Sequence, residues 1–115
     1  MKTTILYLAP QEARRRVGNL GAFCDATTML DQRTLDATII VNNRLDPKIQ
    51  RAYLKHEGVQ LGILREWAGH GGSIPSIMPN AHENGLQAGL DEAEKLGVLE
   101  QYKKRRAMWS KEYGG

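Results

Sequence analysis

Residues 41–64 read VNNRLDPKIQRAYLKHEGVQLGIL, passing from the end of an apolar strand through a turn into a long helix. Asp46 followed by Pro47 marks the entry. A carboxylate there can accept from the first free amides, and a proline ring suits the first helical position. Beyond it Ile49, Ala52, Tyr53, Ile63, Leu64 and Trp67 recur in steps of three and four, the spacing of one helix face. The pattern predicts a helix over residues 47–67, ending at Gly69-His70-Gly71-Gly72, where glycines interrupt it. His56 and Gln60 fall on the apolar face one turn apart, and Glu57 lies about 100° round from His56.

Upstream, residues 3–9 are rich in β-formers and read as a strand; Pro10 then opens a short helix over 11–17 that Gly18 closes. Residues 21–30, GAFCDATTML, fit either a strand or an irregular crossing. Residues 34–41, TLDATIIV, form the clearest strand, ended by Asn42-Asn43. Downstream, residues 69–79 hold glycines and prolines and read as a loop. Asn80, with Glu83 three residues on, caps a second long helix reaching about Gly97, and residues 98–112 form a third. The order predicts one α+β domain over residues 1–115: a small sheet covered on one side by two or three helices.

Composition sets the class. The chain has 115 residues, 41% apolar and 25% charged, ordinary for a folded globular protein. Cys24 is the only cysteine, so no internal disulfide forms and a reducing, cytoplasmic home is expected. The opening MKTTILYLAP is too short to span a bilayer, and no membrane partner is expected. Residues 95–115 carry six basic and two acidic side chains, whereas the chain as a whole is at +3. The positive charge thus sits in the tail, where it can meet solvent, an acidic partner or nucleic acid.

The second long helix turns Leu86, Ala93 and either Gly89 or Leu90 inward, with His82 starting that face. His56, Gln60 and His82 therefore point inward from two helices. Buried polar groups without partners cost about 1–3 kcal/mol each, so something must satisfy them. One solution is a metal ion held by His56, His82 and Gln60, with Glu57 as the base acting on bound water. The other is a hydrogen-bond network joining the helices. An amide oxygen is a poor zinc ligand, so a metal would call for a further donor such as Glu83, or for Asp91, Glu92 or Glu94 in place of His82, from which those three stand roughly 15 Å along the axis.

The segment IIVNNRLDPKIQRAYLKHEG resembles the strand–turn–helix entry of zincin-like metallopeptidases, most closely the small intracellular type found beside phage and mobile-element regulators. The matching residues are Ile40, Asn43, Gln50, Arg51, His56 and Glu57. The resemblance implies a zinc ion on His56, Glu57 as general base, His82 as a downstream ligand, and a protein or peptide substrate. Gln60 stands where that family has its second histidine. The pattern is H-E-x-x-Q, and the alternative it leaves is a non-catalytic protein on the same fold that binds a host protein.

Three other features carry possible chemistry. His70, in its glycine loop, could swing over the site or sit in a phosphate-binding turn, although that turn follows a helix instead of preceding one. Lys103, Lys104, Arg105 and Arg106, with Tyr102 and Trp109, mix cations and aromatics as nucleic-acid contacts do. Tyr102, Arg105 and Trp109 can equally pack against the body. Cys24 reads as a small buried hydrophobe and has no activating cation beside it in sequence.

Overall fold

The computed structural model describes residues 1–18 and 25–113; Cys24 lies outside them, as does the side chain of Trp109. The elements in chain order are β1 (Thr3–Leu8), α1 (Pro10–Val17), β2 (Ala26–Leu30), β3 (Ala37–Asn42), α2 (Pro47–Gly69), α3 (Ile74–Lys95) and α4 (Leu99–Tyr113). This is an α+β arrangement. The strands form one sheet in the order β1-β3-β2. β1 runs parallel to β3, with Thr3 beside Ala37 and Leu8 beside Asn42. β2 runs antiparallel to β3, with Ala26 beside Val41.

The central strand reads ATIIVN and is apolar on both faces, as expected of a strand covered on both sides. Ile39 and Val41 pack against Leu61 and Leu54 of α2. Ile40 points the other way, onto Ala13 of α1, with Leu6, Leu8, Val17 and Met29 around it. Helices thus lie on both faces of the sheet, which corrects the one-sided arrangement expected from the element order. The short α1 covers one face and α2, backed by α3, the other. On the α2 side β1 stays uncovered, with Ile5 43% and Tyr7 48% exposed.

The 34–41 strand begins later than its composition suggests. Asp31 accepts from the amides of Arg33 at 2.8 Å and Thr34 at 3.1 Å, which curls the chain into the turn between β2 and β3. These two bonds also hold the Asp31 carboxyl below its usual range. Leu35 closes the turn at φ 64°, a left-handed conformation uncommon for a branched side chain. Arg65 of α2 secures it. Its guanidinium donates to Leu35 O at 2.9 Å, to Lys2 O at 2.8 Å and to Thr3 Oγ1 at 2.6 Å, joining helix, turn and β1.

Asp46 caps α2 as expected, accepting from Lys48 N at 2.8 Å. The next helix departs from expectation. α3 starts at Ile74 and runs through Pro79, so Asn80 lies inside it, where it accepts from Asn84 Nδ2. Residues 69–79 therefore contain only a short turn. Trp67, expected in the core, is 42% exposed and ties that turn, its indole N–H reaching Ser73 O at 3.0 Å and Ser76 Oγ at 3.1 Å.

The inward face of α3 is Ala81, Gly85, Gly89 and Ala93: Gly89 and Ala93 fall on the face read from the sequence, whereas Ala81 and Gly85 take the places expected of His82 and Leu86. It is a seam of small residues pressed on α2. A Cβ on Gly85 would stand 2.7 Å from the His56 carbonyl oxygen, and one on Gly89 2.5 Å from the Tyr102 hydroxyl and 3.1 Å from Ala52 O. Gly62 of α2, by contrast, faces open space. Gly85→Ala should destabilise the protein by about 1–3 kcal/mol through overpacking, whereas Gly62→Ala should stabilise it by up to ~1 kcal/mol. Urea unfolding of the two variants beside the parent measures both.

Candidate functional site

Two polar clusters lie where β2, α2, α3 and α4 meet. The first surrounds Asp25, fully buried just before β2. Its carboxylate accepts from Asn42 Nδ2 at 3.0 Å, Tyr53 OH at 3.1 Å, Arg105 Nε at 2.7 Å and Arg105 Nη2 at 3.1 Å. One anion so joins β2, β3, α2 and α4 through a bidentate arginine. The hydrogen bond to Asp25 raises the Arg105 pKa further, and burial followed by the Asp25 charge pushes the Tyr53 hydroxyl up. Nothing in GAFCDATTML sets Asp25 apart, because its partners come from distant parts of the chain.

The second cluster is built on His56, 3% exposed, and Glu57, 8% exposed. His56 Nδ1 accepts from Arg106 Nη1 at 3.2 Å, since a guanidinium only donates. Nε2 therefore carries the proton and donates to Gln60 Oε1 at 3.1 Å. Gln60 in turn directs its amide nitrogen to Met78 Sδ at 3.6 Å. Arg106 also reaches the Tyr102 hydroxyl at 3.4 Å and lies 5.9 and 5.7 Å from the Tyr53 and Tyr102 ring centroids. The two tyrosine rings meet edge to face at 4.9 Å.

Burial, then the Arg106 charge and His82, lowers the His56 pKa to about 4, against the pull of the Gln60 bond. Burial raises Glu57 to about 7, although Thr28 and Arg106 draw it back down. Thr28 Oγ1 donates to Glu57 Oε1 at 3.4 Å. Each group is driven toward its neutral form. With His56 uncharged at neutral pH, the 3.6 Å approach of His56 Nε2 to Glu57 Oε2 is a polar contact rather than an ion pair.

The structure brings together only part of the set expected from sequence. The His56 and His82 rings do converge, 5.3 Å apart at 62°, but His82 sits on the exposed flank of α3. Glu83 is exposed and lines a separate surface hollow with Asn84, Leu86, Gln87 and Leu90. His70 caps the C-terminal end of α2, roughly 20 Å along the axis from His56. In the basic run, Arg105 and Arg106 turn inward, while Lys103 and Lys104 remain exposed. Arg106, read from sequence as a nucleic-acid contact, is instead a partner of His56, a role that sequence reasoning missed along with the Asp25 hub. The one signal for the Arg106 role was the four-residue step from Tyr102 along an inward helix face.

These residues do not fit a zinc ion. A ligating imidazole normally donates its far N–H to an acceptor, but the far nitrogen of His56 faces a guanidinium. Gln60 offers only a neutral amide, and Gly85 of α3, packed against His56, has no side chain to add. Among the described residues no three His, Cys, Asp or Glu side chains cluster as a metal site. No helix among them is long and apolar enough to cross a membrane. Comparison with protein-family models, curated proteins and solved structures finds no match.

The opposed shifts have a measurable signature. Between pH 6.5 and about 4 the unfolded His56 binds a proton that the folded form refuses, so its contribution to stability falls as pH falls. Between pH 4.5 and about 7 the unfolded Glu57 releases a proton that the folded form keeps, so stability falls as pH rises. In the overlap the two slopes cancel. Glu57→Gln should uncover the His56 slope, losing roughly 3 kcal/mol between pH 6.5 and 4, and His56→Gln should uncover the opposite one. Chemical denaturation across this range tests both.

Proposed function

We propose that this chain is a zincin-like protein that binds a protein partner without cleaving it. The observation that carries this reading is the Arg106–His56–Gln60 chain, which engages both imidazole nitrogens with protein groups. The entry from β3 into α2 supports the zincin-like frame. Gln50 Nε2 donates to Asn42 O at 3.0 Å and Asn43 N to Leu8 O at 2.9 Å, so two residues of the resembling segment set how the helix leaves the sheet.

A protein partner is favoured over nucleic acid on two grounds. Arg105 and Arg106 are occupied internally, which leaves only Lys103 and Lys104 of that four-residue run facing solvent. The edge strand β1 exposes Ile5 and Tyr7, apolar surface suited to a protein rather than a phosphate backbone. The resemblance to phage and mobile-element domains makes a host protein the class of partner.

Protein purified without added metal is expected to carry well below one zinc per chain and to leave an unfolded substrate such as casein uncut at neutral pH, with or without zinc. Zinc held at one per chain and lost in His56→Ala, together with cleavage that Glu57→Gln abolishes, would overturn this reading in favour of metal-assisted hydrolysis.

A further inference from the structure

We propose that Arg106 sets the tautomer of His56 and thereby withholds this imidazole from metal ions. The inference rests on the reading of the site as metal-free and names the residue responsible. A guanidinium carries five N–H donors and no acceptor. With Nη1 3.2 Å from His56 Nδ1, that nitrogen must present its lone pair, and the single proton of the neutral ring sits on Nε2. The proton on Nε2 then selects the orientation of Gln60, whose oxygen faces His56 at 3.1 Å and whose nitrogen faces Met78. One cation on α4 orders two side chains of α2 in series.

Arg106 is itself held in place. It lies near two aromatic rings, shares Nη1 with the Tyr102 hydroxyl, and follows Arg105, which is anchored on buried Asp25. Ligation through Nε2 needs the other tautomer, with Nδ1–H directed at an acceptor. That proton would meet Arg106 donor to donor. The exclusion of metal is therefore local to one contact, and exchanging the donor for an acceptor should lift it.

The test uses the full chain, with histidine ring nitrogens labelled for NMR at neutral pH and with zinc chloride titrated into the same samples. Wild type should hold the Nε2–H form of His56. Arg106→Gln, whose amide oxygen can accept, should shift the ring to Nδ1–H and raise zinc affinity roughly tenfold, the scale of outer-shell partners of a ligand histidine. Arg106→Lys keeps a donor and should keep both the wild-type tautomer and its affinity, which separates tautomer from lost packing. An Nδ1–H ring in wild type overturns the proposal, and so does an unchanged ring in Arg106→Gln. A switched ring with unchanged zinc affinity overturns the claim that the tautomer governs exclusion. Failure of the underlying reading would look different: wild-type protein would hold zinc through His56 with Arg106 intact.

Discussion

The contact between α2 and α3 is closest where α3 carries no side chain. Gly85 and Gly89 bring the α3 main chain against His56 and Ala52, so close that a Cβ at either position would collide. This closeness places the His56 and His82 rings edge to face and seats the Tyr102 hydroxyl against Gly89. It also leaves α3 nothing at Gly85 to offer His56. The same two residues that make the packing possible make the interior sparse in donors. The imidazole must then find partners along its own helix, at Gln60, and from α4, at Arg106.

The adjacent arginines of α4 resolve their charges differently. Arg105 meets a buried carboxylate with two hydrogen bonds, an arrangement in which loss of one partner leaves the other stranded. Arg106 forms no ion pair within 4.0 Å among the described residues and is stabilised by ring faces, a hydroxyl and a neutral imidazole. Its field is one reason why His56 resists protonation. Two residues that look interchangeable in KKRR therefore act as a bolt and as a proton director.

Much of the frame was legible in the chain. The Asp46-Pro47 cap and the closing Gly18 are where their local signals point, and so are β3 and the α2 stripe apart from the late start of the strand and the exposed Trp67. The start of α3 was hidden because Pro75 and Pro79 read as helix breakers, whereas Pro75 falls in the first turn, where its missing N–H costs little. The first half of the α3 face was read one residue off because its inward positions, Ala81 and Gly85, carry little hydrophobic signal. At the site, the convergence of His56 with His82 followed from helix spacing. The Asp25 hub and the Arg106 contact did not, since both join segments far apart in sequence and neither has a spacing rule.

The sheet joins two kinds of pairing. β2 and β3 are linked by a tight turn, so their ladder closes locally. β1 reaches β3 only after the chain has passed through α1 and the β2–β3 turn, and that long loop must close before any bond compensates for its lost entropy. Lys2 and Thr3 are in turn fastened by Arg65, a residue of α2, so their fastening presupposes a formed helix. The expected order of assembly follows from this. The turn and the helical pair come first, and the N-terminal strand arrives last, clasped by a side chain already waiting for it.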